Sequence, residues 1–238
     1  VNANECLLNN NKNSIGVFVS ELILYKDEEF IAVNKPAGIL SQKDKSGDPD
    51  IADLVKKKLQ LRDFLAPVHR LDRNTSGILL LARNSSTANE FSTYIKKGAL
   101  KREYLAITKG DPGESGSYNF RLIKNEEKNI VYVDESGQEA ETHFQRIERM
   151  GNSSLVKVKI ITGRSHQIRI HFSHAGHALI GDPKYAKKPW SELFHRPALH
   201  AYELTLPANQ KRKELLLRAP VAEDFLTLLT KLGGKSSL

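Results

Sequence analysis

Cysteine, methionine and tryptophan each occur only once in the 238 residues. With Cys6 alone, no intramolecular disulfide can form and no zinc site can be built on paired thiolates. The chain has no apolar run approaching the roughly 18–20 residues of a membrane-spanning helix, so no membrane partner is expected. Its N-terminus, VNANECLLNNNKNS, lacks the basic segment and apolar core of a signal peptide. A single thiol also suits a reducing compartment, and the expected localisation is cytoplasmic. Phosphate-cradling G-x-G-x-x-G and G-x-x-x-x-G-K-[ST] loops are missing, as is the G-x-S-x-G elbow of serine hydrolases.

Basic residues are plentiful. Thirty-six Lys and Arg stand against 28 Asp and Glu, a net charge of +8. Such a surface favours a polyanionic partner, nucleic acid first. Hydrophobic residues make up 39% of the chain, enough for one sizeable core.

Patterning predicts strands at 22–25 and 30–34 around Lys26-Asp27-Glu28-Glu29. A helix is expected from Asp48 as N-cap with Pro49 at its first position. Ile78 to Leu81 reads as a buried strand, and 85–97 as a helix stopped by Gly98. Further strands are expected at 102–108, 140–149, 154–161, 199–206 and 214–218. Helices are expected at 165–175, capped by Ser165, and at 221–231, with residues 111–138 an excursion of loops or a hairpin. Strands outnumber helices and short turns join them, which predicts an α+β fold with a mixed, largely antiparallel central sheet flanked by helices. Residues 1–20 read as a tail, 21–232 as one catalytic domain and 233–238 as a frayed end.

Four stretches carry candidate chemistry. In VHRLDRNTSGILLLAR, 68–83, Asp72 lies between Arg70 and Arg73. A carboxylate so flanked stays ionised, which suits a nucleophile or electrostatic stabiliser; it also suits a plain ion pair at a strand start. In ITGRSHQIRIHFSHAGH, 161–177, Arg164 falls at a helix entrance that favours an anion, a phosphate or a carboxylate. In KREYLAITKG, Tyr104 is either a core aromatic or a ring for stacking on a base. In NKPAG, 34–38, Lys35 is available to a phosphate or an acid. The histidines 166, 171, 174 and 177 invite a metal reading, but no H-E-x-x-H pattern or cysteine supports it, and no metal is expected.

NKPAG, HRLDRNTSG, KREYLA, TGRSHQIRIH, GDPKY and LHAYELTLP occur in this order over residues 21–230. Together they closely resemble the RluA-type pseudouridine synthases. The resemblance implies an enzyme without cofactor or metal that isomerises uridine to pseudouridine in structured RNA, large-subunit rRNA first and tRNA second. It implies that Asp72 is the catalytic carboxylate, that Arg164 keeps it ionised and that Tyr104 stacks on the target base. Arg70 would fill the space left by the flipped nucleotide, and Ile168 would line the uracil pocket. His69, Arg73, Thr75, Lys35, Gln167 and Arg169 are the further residues expected at the RNA. The chain departs from the usual pattern at Asn74, Ser165 and Ala186. An S4-like RNA-binding module does not fit in residues 1–20, and a monomer is expected. A non-catalytic RNA-binding protein on the same fold and a metal-dependent nuclease are the competing readings.

Overall fold

The computed structural model describes residues 22–235; the expected N-terminal tail and the last three residues lie outside them. In chain order the elements are β1 (Ile23–Lys26), β2 (Phe30–Lys35), α1 (Ile51–Leu59), β3 (Ala66–Pro67), β4 (Ser76–Ala82) and α2 (Ser85–Lys96). Then come β5 (Lys101–Lys109), β6 (Ser115–Asn125), β7 (Ile130–Val133), β8 (Gln138–Met150), β9 (Ser153–Ile160) and α3 (Gln167–His174). The chain closes with β10 (Leu199–Leu206), β11 (Leu215–Arg218) and α4 (Glu223–Lys231). The fold is α+β, as expected.

These elements fall into two compact units. The first holds residues up to Leu100 together with Glu203–Pro220, and the second holds Lys101–Tyr202 and the residues from Val221 onward. Strand β10 starts in the second unit and finishes in the first.

In the first unit β2 lies antiparallel between β1 and β4, in the register Phe30↔Ala82 to Lys35↔Gly77. All seven residues of β4 are buried, which is why its sequence is a continuous apolar run rather than an alternation. Ile78 and Leu80 join Phe30, Ala32, Leu204 and Leu206 against Phe91 of α2. Phe30 and Phe91 meet edge to face at 5.3 Å. Burying a ring of this size contributes roughly 1.5–3 kcal/mol. Helix α2 starts where Asn84 accepts the Thr87 N–H at 2.8 Å, and Gly98 follows it at φ 67°.

Helix α1 begins two residues later than the sequence pattern suggests. Asp50, not Asp48, is its N-cap, accepting the Asp53 N–H at 2.9 Å. Asp48 is engaged elsewhere, by Arg73.

In the second unit β5, β9, β8, β6 and β7 follow one another across the sheet, every neighbouring pair antiparallel. The excursion at 111–138 resolves into the β6–β7 hairpin. Leu122 and Val131 of that hairpin pack with Ala140 of β8 against Ile170 of α3. Leu105, Ile107 and Leu155 form a further core with Ile180 and with Phe225, Leu228 and Leu229 of α4.

Candidate active site

The HRLDRNTS segment is a loop in the first unit, and its backbone is pinned by side chains. Leu71 N–H donates to Ser41 Oγ at 3.0 Å, and the same hydroxyl donates to Leu71 C=O at 2.8 Å. On the other side of Asp72, Thr75 N–H donates to Asp72 C=O at 3.0 Å. Gly38 N–H donates to Arg73 C=O at 2.8 Å. The Arg73 guanidinium returns the contact, with Nε to Gly38 C=O at 3.0 Å and Nη2 to Asp48 at 2.6 Å. His69 Nε2 accepts Leu80 N–H at 3.3 Å. Asp72 is therefore a half-buried carboxylate on a loop held from both ends, next to an exposed Arg70.

Lys35 is among the residues expected at the RNA, available to a phosphate or an acid. Its side chain is instead 0% exposed. The ammonium donates to the carbonyls of Pro36 and Ile39, both at 2.9 Å, and of Arg73 at 3.1 Å. Three N–H donors with three carbonyls leave nothing to offer RNA; this lysine ties NKPAG to the Asp72 loop. Thr75 is likewise buried behind the loop.

In the second unit the TGRSHQIR segment bends sharply before α3. His166 sits in the left-handed region at φ 51°, so the helix begins at Gln167 and Ser165 caps nothing. The cause is Gln167. Its side chain is 3% exposed, and all four of its hydrogen-bonding positions are used. Oε1 accepts from Thr162 Oγ1 at 2.7 Å and Arg164 N–H at 3.0 Å. Nε2 donates to Glu141 C=O and Thr142 Oγ1, each at 2.9 Å. Gln167 thus shapes the turn and has no group left to read a base.

Arg169, also expected at the RNA, is buried in a two-pronged pair with Asp182, Nε to Oδ2 at 2.7 Å and Nη2 to Oδ1 at 2.8 Å. It fastens α3 to the GDPKY segment. Ile168 is buried on the same helix. Arg164 is exposed, its Nε donating to Glu139 C=O at 3.0 Å. It borders a cleft of about 380 Å³ whose opposite wall carries Ile123 and Lys124 of the hairpin. Tyr104 is buried on β5 opposite Val158.

The four histidines take separate surroundings. His166 Nδ1 lies 2.7 Å from Tyr185 Oη, and His177 Nδ1 lies 3.1 Å from Lys109 C=O. His174 is exposed beside Phe120 at 4.8 Å. His171 is buried edge-on to Phe120 and Tyr118, at 5.4 and 6.4 Å. Burial, reinforced by His174, pushes its pKa down to about 4. Burial also pushes the Tyr118 phenol up to about 12. Among the described residues no three His, Cys, Asp or Glu side chains gather as a metal would need, and no helix is long and apolar enough to cross a membrane.

The sequence pattern of the RNA pseudouridylate synthases matches residues 29–174, through both the Asp72 loop and the Arg164 turn. The chain belongs to the RNA pseudouridine synthase family. It is 31% identical to the ribosomal large subunit pseudouridine synthase C of Haemophilus influenzae, over 96% of this chain and 74% of that one. It is 37% identical to the dual-specificity RNA pseudouridine synthase RluA of Haemophilus ducreyi, over 77% of this chain and 85% of that one. Human RNA pseudouridylate synthase domain containing 4 shares the fold, with TM-score 0.75 and 23% identity over 93% of this chain and 97% of that one. The pseudouridine synthase is thus an isomerase of the RluA type, acting on RNA.

Sequence reasoning passed over three residues of this synthase that the structure makes prominent. Ser41 bridges both main-chain groups of Leu71 and lies in no patterned context that marks it; Asp182, which neutralises Arg169, lies in the GDPKY motif, but nothing local shows which cation it meets. Arg102 had a signal, because it precedes Tyr104 by two positions on a strand and so shares its face.

Proposed function

We propose that the enzyme converts specific uridines of large-subunit ribosomal RNA to pseudouridine, with tRNA as the second substrate class, and that Asp72 carries the chemistry in a cytoplasmic monomer. The observation that carries this reading is the pinning of the Asp72 loop. A carboxylate that attacks one atom of a nucleotide needs its position fixed within a fraction of an ångström, and Ser41, Lys35 and Arg73 supply that from both sides. The names of the relatives support the RNA class, one being a large-subunit enzyme and one dual-specific.

The reaction is a balanced rearrangement. The N1–C1′ bond breaks, the uracil rotates, a C5–C1′ bond forms and the C5 proton moves to N1 or solvent. The carboxylate of Asp72 serves as nucleophile at C1′ or C6, or as base at C2′. A stacked uridine exposes none of these atoms, so the nucleotide leaves its stack at a cost of a few kcal/mol. In this reading Arg70, exposed beside Asp72, fills the vacated space, while Tyr104 provides a ring for the base and Ile168 an apolar wall. The reading also assigns Arg164 to the catalytic group. The basic surface holds the phosphates.

The test is Asp72→Asn. Chemical mapping of pseudouridine in ribosomal and transfer RNA from a strain lacking the gene identifies the target. Re-expressed wild type restores the modification, and Asp72→Asn binds the RNA but restores none. Turnover by the Asn variant would refute Asp72 as the reacting group.

A further inference from the structure

Arg102 is a buried cation that has no counter-charge among the described residues. Its side chain is 6% exposed, yet among the described residues it makes no hydrogen bond and no ion pair, and its Nε is fully enclosed with no partner. The contrast within the same unit is sharp. Arg169 and Arg196 are equally buried, and each is met by both oxygens of an aspartate. Arginine cannot lose its proton to escape the penalty. A buried charge persists in proteins when it is paired or when it serves a ligand.

Its location indicates the ligand. Arg102 stands on β5 opposite Ile160, on the same face as Tyr104. The guanidinium lies beneath Gly163, so close that a Cβ there would meet Nη1 at 2.9 Å. Arg164 follows directly in sequence. The terminal nitrogens of Arg102 are not sealed off as Nε is. No acidic side chain answers either arginine within this unit; Glu103, next along the strand, faces the other way and pairs with Lys157 at 2.7 Å.

We propose that Arg102 is a receptor for one backbone phosphate of the RNA substrate, reached beside the Gly163 turn. This rests on the RNA reading given above. An anion is required rather than a uracil carbonyl, because a neutral acceptor leaves the buried charge uncompensated. RNA offers one such anion per nucleotide. Gly163 is then a glycine because any larger residue displaces the guanidinium that takes the phosphate.

Arg102→Met and Arg102→Lys, made in the non-turnover Asp72→Asn protein, test this against an unmodified large-subunit rRNA transcript over a range of KCl. Removing one phosphate contact makes the slope of log K against log salt shallower by about 0.7–0.9, and we expect roughly tenfold weaker binding in Arg102→Met. The lysine variant regains most of the slope. Urea unfolding of Arg102→Met is unchanged or shifted to higher urea, because an unpaired buried charge has gone. An unchanged salt slope in the Met variant overturns the proposal, and so does lost stability with intact binding, which marks a structural arginine. Gly163→Ala in an otherwise unaltered Arg102 protein gives a second measurement should the Met variant fail to fold, and it is expected to flatten the slope equally. If wild type makes pseudouridine while the Met variant binds normally, this inference alone fails. If the slope changes but wild type modifies no uridine, the phosphate contact stands and the catalytic reading falls.

Discussion

Replacing Gln167 by Leu separates a scaffold residue from a base-reading one. The side chains have similar volume, so the change deletes hydrogen bonds with little loss of packing. Four are lost: those from Thr162 Oγ1 and Arg164 N–H, and those to Glu141 C=O and Thr142 Oγ1. A typical net value is about 0.5–1.5 kcal/mol each, and the four together come to roughly 2–6 kcal/mol. The Arg164 N–H and the Thr162 hydroxyl lose their shared acceptor, so the turn carrying Arg164 loosens as well. Urea unfolding at pH 7 gives the stability, and single-turnover pseudouridine formation gives the function. Both are expected to fall together. Gln167→Glu keeps Oε1 and its two donors but loses the Nε2 bonds, and it should lie between wild type and the Leu variant in both assays. A Leu variant as stable as wild type, with a raised KM and unchanged kcat, would show that Gln167 reads the base after all.

The buried Arg169–Asp182 pair gives a second prediction: Asp182→Ala strands a guanidinium in the interior and costs about 3–5 kcal/mol, measured as a lower urea midpoint, whereas an unshifted midpoint refutes the structural role. The third concerns acid. His171 titrates near 4 in the fold and near 6.5 unfolded, so the unfolded chain binds the extra proton first. The stability this contributes is full above pH 6.5 and is lost as pH falls through that value towards 4, to a limit of about 3 kcal/mol at roughly 1.36 kcal/mol per unit. Wild type should lose more stability than His171→Leu between pH 7 and pH 4.5 in urea titrations, and equal losses refute it.

The strand–helix order was legible because its signals are local: the apolar run of β4, the spacing of Phe91 with Ile95, and the chain stop at Gly98. What was not legible depends on which side chain wins a shared partner. Asp48 and Asp50 are both good caps for α1, and Asp48 is drawn off by Arg73 at 2.6 Å, a contact 25 residues away in sequence. Ser165 likewise looked like a cap, but Gln167 folds back and claims the turn. The sequence reading placed Lys35, Arg73 and Arg169 at the RNA. It could not tell a cation facing RNA from one bonded to carbonyls or an aspartate of the same unit, because only packing decides that.

The inward-turned residues explain why the motifs are longer than the chemistry requires. A catalytic loop has no sheet ladder or helix to satisfy its backbone, and an unsatisfied buried carbonyl or N–H costs about 1–3 kcal/mol. Lys35, Ser41 and Arg73 take over that task around Asp72, and Gln167 does so around Arg164. Arg70 and Arg164 are thus exposed on turns whose backbones are largely answered from within their own unit. Arg102 differs from the other buried arginines of its unit. It sits beside the Gly163 turn with its charge unanswered there, while Arg169 and Arg196 are each met by an aspartate, and a guanidinium left open in this way suits an anion that arrives with the substrate.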